Sequence, residues 1–182
     1  MSDAVAHGLD EKVPECVTDR VPLVGAEGFA AAWNRRSLTA AASGLHVARI
    51  EHLLGRYGTL TDELLELIAA DPSLGEPLEG AEDYLRVEVV YACSHEGARH
   101  LDDVLARRTR ISIETWDRGV RAAPAAAKLM AGALGWDAAQ ITKEIDAYRA
   151  RVDAEVRSQR EPDDEAADAV RLAAPEIVPL ER

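Results

Sequence analysis

The chain has 182 residues, a formal net charge of -12, 47% hydrophobic residues and 4% aromatic residues. That length is enough to bury a real core in one domain, and with so few aromatics the core is expected between closely approaching, Ala-rich helices. The acidic balance excludes general binding to nucleic acid or anionic membranes unless a local basic patch overcomes it.

In chain order, residues 1–24 read as a lead-in. SDAVAHGLD resembles the last turns of a helix stopped by Gly8. DEKVPECVTDRVPLVG, with prolines at 14 and 22, reads as an extended connector. Gly25 to Ala42 predicts a first helix with Phe29, Trp33 and Arg36 along one side. Ser43 is the expected N-cap of a second helix opening at Leu45. Ile50, Leu53, Leu54 and Tyr57 form its stripe, and Gly58 is its stop. Leu60, Leu64, Leu67 and Ile68 mark a third, short helix capped at Thr59 or Thr61 and ended by Asp71-Pro72. DPSLGEPLEGA is a loop.

Tyr84 to Cys93 is apolar except for Arg86 and Glu88. Its β-branched residues favour a strand, but no second convincing strand offers a partner, so a central buried helix is predicted. His95 to Ile111 reads as one helix whose seam, Leu101, Val104 and Leu105, continues into Arg108. From Ile113 to Leu134 a helical region follows, divided or kinked at Pro124. Gly135 closes it, Asp137 and Gln140 open the next helix in capping-box fashion, and Ile141, Ile145, Tyr148 and Val152 form the last long stripe. From Ser158 an acidic tail is expected to be loosely packed or partly helical. The fold class is therefore all-α, a single helical domain of about six or seven helices.

The motifs carry little chemistry. HEGARH spaces His95 and His100 five residues apart, about 140° around a helix, where the zinc motif needs i and i+4 on one face. His46 and His52 do no better, and no metal ligands are assigned. Gly25, Gly28, Gly55 and Gly58 lie outside any strand–turn–helix phosphate loop. No nucleophile elbow or Cys/His pair appears. Cys93 falls in the most apolar run, where a thiol behaves as a small hydrophobe. With Cys16 it makes no disulfide or CxxC pattern, which suits a reducing cytoplasm. The N-terminus has no apolar signal core, and no apolar run approaches the ~18 residues of a membrane helix.

The basic cluster at Arg107, Arg108 and Arg110 is the exception. Arg107 follows Asp103 at the spacing of a helical ion pair. Arg108 has Val104 and Leu105 one turn earlier and no carboxylate on its own face, while Glu88 is a carboxylate in an apolar helix. Two such charges are tolerable in an interior when paired, so a buried Glu88–Arg108 pair is expected, with a loss of ~3–5 kcal/mol when one partner is removed. The alternative is that Arg108 and Arg110 contact a neighbouring domain or an anionic ligand.

LxxEVxYAxxHE…LDDVLARRTR, here Leu85 to Arg110, resembles the C-terminal helical domain of FAD-dependent glycerol-3-phosphate dehydrogenases, most closely of the actinobacterial type. VPECVTDRVPLVGAEGF, SGLHVARIEHLLGRYG, LIAADPSLGEPL and LGWDAAQITKEIDAYRARV agree, so the resemblance covers almost the whole chain. It implies that residues 1–24 are a helix remnant and linker from a missing flavin domain, 25–157 the helical C-terminal domain and 158–182 an acidic tail. The full enzyme would oxidise sn-glycerol 3-phosphate to dihydroxyacetone phosphate, passing hydride to FAD and electrons to a quinone or other acceptor at the cytoplasmic membrane face.

In that family the glycine-rich flavin loop, the catalytic His and the phosphate-binding residues precede this domain. No catalytic or cofactor-binding residue is therefore carried over, and this chain alone is expected to hold no FAD and turn over no substrate. The implied partners are the missing FAD/substrate domain and, in the full enzyme, a second subunit of a homodimer. Membrane contact would be peripheral, through the full enzyme. The competing expectation is a stand-alone helical interaction module descended from such an enzyme. A nucleic-acid role has no basic face to support it.

Overall fold

The computed structural model describes residue 8, residues 17–175 and residue 177. Expectations for the rest of residues 1–16, for residue 176 and for residues 178–182 lie outside the described residues. The chain divides into two compact units, Met1–Leu65 and Glu66–Arg182.

In the first unit, the segment expected to be an extended connector contains a turn, with the Arg20 and Val21 amides donating to the Val17 carbonyl. The expected helix from Gly25 to Ala42 is two helices, α1 (Phe29–Asn34) and α2 (Arg36–Ser43). Gly25 and Gly28 have φ of 81° and 78°, which keeps the start out of the helix. The break falls at Arg35, with φ -93° and ψ 0°. Its amide is shared between the carbonyls of Ala31 and Ala32. Ser43 is not the next N-cap. It ends α2, followed by Gly44 at φ 75°, and His46 caps α3 (Val47–Tyr57) by accepting the Ala48 N–H on Nδ1.

Ile50 and Leu54 of α3 bury against Ala40, with Phe29, Ala32 and Trp33 packed alongside. The Arg36 guanidinium lies 5.0 Å from the centre of the Trp33 ring and 2.6 Å from Glu51. Gly58 stops α3 as expected, and its reason is steric as well as conformational. At φ 59° a Cβ there would meet the Gly25 carbonyl oxygen at 2.1 Å. That carbonyl instead accepts the Thr59 N–H at 2.9 Å. A 3₁₀ turn leads into α4 (Thr61–Ala70), ended by Asp71-Pro72 as the sequence predicts.

In the second unit, which begins within α4, a 3₁₀ turn (Pro72–Gly75) leads into a short antiparallel hairpin, β1 (Pro77–Leu78) and β2 (Ala81–Leu85). Here the strand propensity of Tyr84 and Leu85 wins, because the segment expected to be a loop supplies the partner: Leu78 pairs with Ala81 and Pro77 with Leu85. The buried helix is present but begins later, as α5 (Arg86–Ser94). Val87, Glu88, Val89, Tyr91, Ala92 and Cys93 are all buried along it. It packs against α8 (Ala123–Leu134), whose Ala123, Ala126, Ala127 and Met130 face the same core. This is the Ala-lined helix contact that the composition implies.

His95 to Ile111 is not one helix. α5 ends at Ser94, Gly97 turns the chain at φ 72°, and helical structure resumes only at Leu101. From there Asp103–Arg108 is wound as a π-helix, α6. Leu101, Val104 and Leu105 are fully buried, each contributing about 1.5–3 kcal/mol of apolar burial. The region from Ile111 to Leu134 is in two pieces, α7 (Ile111–Glu114) and α8, separated by turns, and Pro124 lies in the first turn of α8 where its missing N–H costs nothing.

Gly135 closes α8 at φ 72°. Asp137 caps α9 (Ala138–Ser158) by accepting the Gln140 N–H at 2.7 Å. The beginning of the acidic tail forms a helix, α10 (Asp164–Leu172), capped by Asp163 and docked on α9 through buried Ala167 and an Arg171–Ser158 hydrogen bond. The described residues are thus predominantly helical, as expected.

Candidate functional site

The polar centre of the second unit is built around α6. Its first donors have no partners within the helix. Asp103 reaches back to accept the N–H groups of Arg99 and His100, both at 3.0 Å. Glu144, from α9, accepts the N–H of Leu101 at 3.0 Å, the His100 ring at 2.9 Å and the Gln140 side-chain amide at 2.9 Å. Glu144 is 1% exposed. Its charge sits at a helix N-terminus, where the peptide dipoles favour an anion. Burial raises the Asp103 carboxyl, but the two backbone donors, with Arg107 and His100, outweigh it and hold the group below the usual carboxylate range.

The far end of α6 explains its winding. Thr109 donates its N–H and its hydroxyl to the Val104 carbonyl, at 2.9 and 2.7 Å, five residues back rather than four. The residue one turn beyond Val104 is therefore Thr109, which is 2% exposed, while Arg108 is exposed. The expectation that Arg108 continues the apolar seam assumed α-helical spacing, and the π-turn moves it off.

A ladder of charges runs along the outside. Asp102 pairs with Arg107 on its own helix and with Arg151 of α9 at 2.7 Å. Arg151 pairs with Glu155 at 3.3 Å, and Glu155 with Arg118 at 2.8 Å. Arg107 also holds Asp103 at 2.9 Å, the i,i+4 pair read from the sequence. A cleft of about 530 Å³, lined by His100, Arg107, Glu144, Arg151 and Arg171 among others, opens over this ladder. Its charges of both signs neutralise one another, so it presents neither a cationic nor an anionic pocket.

Of the expected site residues, Glu88 is fully buried and its carboxylate accepts the Leu85 N–H at 2.8 Å, capping its own helix. Arg110 is exposed and pairs with Glu114 at 3.4 Å, and its amide donates to the Tyr84 hydroxyl, which in turn donates to Glu114 at 2.7 Å. Cys93 is buried, and desolvation, with Asp103 nearby, pushes its thiol up to about 11, as suits an inert cysteine. Glu144 and Asp102 escaped the sequence reading. Glu144 stands three after Ile141 and four before Tyr148, on the apolar stripe of α9, so the reasoning applied to Glu88 would have found it. Among the described residues no group of three or more His, Cys, Asp or Glu side chains is placed to hold a metal ion, and no helix is long and apolar enough to cross a membrane.

Comparison with known proteins supplies what this geometry does not. The chain is 48% identical over 174 residues to glycerol-3-phosphate dehydrogenase 2 of Mycobacterium tuberculosis, an alignment covering 96% of this chain and 30% of that protein. It is 47% identical to a glycerol-3-phosphate dehydrogenase of Mycobacterium leprae over the same shares, and 33% identical to one of Synechocystis over 81% of this chain and 27% of the relative. The chain thus spans about 30% of the length of the mycobacterial relatives named here. No solved structure matches it. The family described as the C-terminal domain of alpha-glycerophosphate oxidase matches residues 16–141, and the chain belongs to that family.

Proposed function

We propose that this chain serves as the helical accessory domain of an FAD-dependent glycerol-3-phosphate dehydrogenase, packing against the region that holds flavin and substrate. The observation that carries the reading is the lopsided alignment: nearly all of this chain matches less than a third of each mycobacterial relative. In the complete enzyme, sn-glycerol 3-phosphate would be oxidised to dihydroxyacetone phosphate, FAD would accept the hydride, and a quinone or similar acceptor would take the electrons. The setting would be cytoplasmic, with any membrane contact peripheral.

The residues present do not fit FAD. Among the described residues, the one strand that runs directly into a helix, β2 into α5, has no glycine loop between Leu85 and Arg86. The helix N-terminus, where a pyrophosphate would sit, is occupied by the Glu88 carboxylate. The flavin would be held by the partner region, and this chain's contribution is structural.

The test pairs the purified chain with the preceding region of the M. tuberculosis relative, produced separately. Adding the chain is expected to raise glycerol 3-phosphate oxidation by that region, while the chain alone shows neither flavin absorbance nor turnover. Flavin absorbance or activity in the chain alone overturns the reading, as does a partner region indifferent to its addition.

A further inference from the structure

Val17, Val21, Leu23 and Val24 are 50%, 60%, 82% and 86% exposed. The other large apolar side chains that stand in solvent among the described residues, Leu38, Ile113, Trp116 and Leu172, lie elsewhere in ones and twos. Exposed apolar residues scattered in that way are ordinary, whereas a concentrated run marks a surface that something covers.

The run is pinned to its unit. The Arg20 and Val21 N–H groups close one turn on the Val17 carbonyl, at 2.9 and 3.2 Å, and the Ala26 N–H closes a second on the Leu23 carbonyl at 2.9 Å. Pro22, between the two turns, has its φ fixed by its ring. Behind them Gly25 is locked onto the end of α3. Its carbonyl accepts the N–H and the hydroxyl of Thr59, at 2.9 and 3.4 Å, and a Cβ on Gly25 would meet the Tyr57 carbonyl oxygen at 2.5 Å. The segment is thus a strap whose backbone is held while its apolar side chains stay in water. Its only ionic side chains, Asp19 and Arg20, pair with each other at 3.6 Å. On a chain of net charge -12, this neutral strap selects a partner face by apolar burial, not by charge.

The comparisons indicate the occupant. The family match starts at residue 16 and is to a C-terminal domain. The alignment with the M. tuberculosis relative leaves the larger part of that protein outside it. In the relatives, the rest of the dehydrogenase therefore adjoins this segment. We propose that the strap docks on an apolar face of the region that holds flavin and substrate, with Leu23 and Val24 as its buried anchors. The inference rests on the accessory-domain reading and adds to it the surface by which the chain is held.

Trypsin reports on cover at the strap, because the Arg20 side chain is 63% exposed. The region of the M. tuberculosis relative that precedes the alignment is joined to this chain in one polypeptide. Cleavage after Arg20 is timed in that polypeptide and in the 182-residue chain alone. It is expected to be at least about tenfold slower in the joined polypeptide, since proteolysis of a covered segment follows the fraction of time it is open. The ratio should persist at high salt, which screens charges but not apolar contacts. Leu23→Asp with Val24→Asp should bring the joined polypeptide to within about twofold of the same variant's free chain. Leu38→Asp, at another exposed apolar position of the same unit, should leave the protection intact. Unchanged circular dichroism melts of the free-chain variants establish that they fold.

A joined polypeptide that binds flavin and oxidises glycerol 3-phosphate, yet is cut as fast as the free chain, overturns the strap and leaves the accessory-domain reading standing. Protection that survives the double substitution does the same. A joined polypeptide without flavin or turnover removes the accessory-domain reading and the inference with it. A free chain whose Arg20 is already protected at high concentration, or by phosphatidylcholine–phosphatidylglycerol vesicles, assigns the strap to a second copy or to a bilayer and overturns the proposal.

Discussion

Glu144 Oε2 lies 3.0 Å from the backbone nitrogen of Leu101, so a carboxylate on α9 caps a helix that begins 43 residues earlier. Both groups are buried, and a buried donor deprived of its acceptor loses its full desolvation energy. Glu144→Ala is expected to lower unfolding free energy by about 2–4 kcal/mol in urea titration, since it strands the Leu101 N–H and releases His100. Glu144→Gln keeps one carbonyl acceptor and should lose about half as much. A Glu144→Ala variant as stable as the wild type would show that the cap is not what holds α6 to α9.

Asp103 makes stability depend on acid. Although burial works the other way, the N–H groups of Arg99 and His100 and the charge of Arg107 leave its folded-state pKa depressed. A depressed carboxylate contributes stability that is present above the unfolded-state value, about 3.9, and is lost as pH falls through the lower folded value. Asp103→Asn is therefore expected to be less stable than the wild type at pH 6, with the difference shrinking as both are acidified toward pH 2. A gap that stays constant over that range would contradict the assignment.

These two carboxylates show where the sequence was legible. Asp103 to Arg107 was readable because both ends lie on one helix at a fixed spacing. The stripes of α3 and α9, the Gly58 and Gly135 stops and the Asp137 cap were readable for the same reason: each is a local pattern with a local cause. The β1–β2 hairpin was missed because β1 is only two residues, too short to carry alternation, and its pairing rests on Leu78 and Pro77 meeting β2 across a turn. The π-turn was missed because Thr109, not the run before it, sets the five-residue hydrogen bond. The Asp102–Arg151 and Glu144–Leu101 ties join positions more than forty residues apart, and no periodicity in one segment reports on the other.

Tyr148 should resist alkali. Burial first, then the nearby carboxylates of Asp102 and Glu155, raise its hydroxyl above the usual phenol range, while Arg151 only partly offsets them. The neutral form is favoured in the fold, so its contribution is complete below the ordinary tyrosine value of about 10 and declines as pH rises beyond it toward the folded value. Ultraviolet difference titration of wild type against Tyr148→Phe should show no phenolate signal from this residue near pH 10.5 while the chain is folded. The Phe variant also loses the hydroxyl bond to Arg118 and should be about 1 kcal/mol less stable at neutral pH. A Tyr148 that titrates with free tyrosine would overturn the burial argument.

Glu88 and Arg108 are the pair on which the basic cluster turns. Glu88 is fully buried and its carboxylate accepts the Leu85 N–H, so part of its desolvation is met within its own helix. Leu85 has no side-chain acceptor to complete a reciprocal capping box, which leaves the remaining lone pairs to a cation or another donor. We propose Arg108 as that cation. The measurement is a double-mutant cycle with Glu88→Gln and Arg108→Met, read by urea denaturation at neutral pH. Glu88→Gln alone should be clearly destabilising, because it replaces an ionised acceptor of a buried N–H by a neutral one. If Arg108 is the partner, the two losses should fall short of additivity by more than about 0.5 kcal/mol, the scale at which residues in contact separate from independent sites. Additive losses would leave Glu88 as a helix cap and free Arg108 for contact with a neighbouring domain.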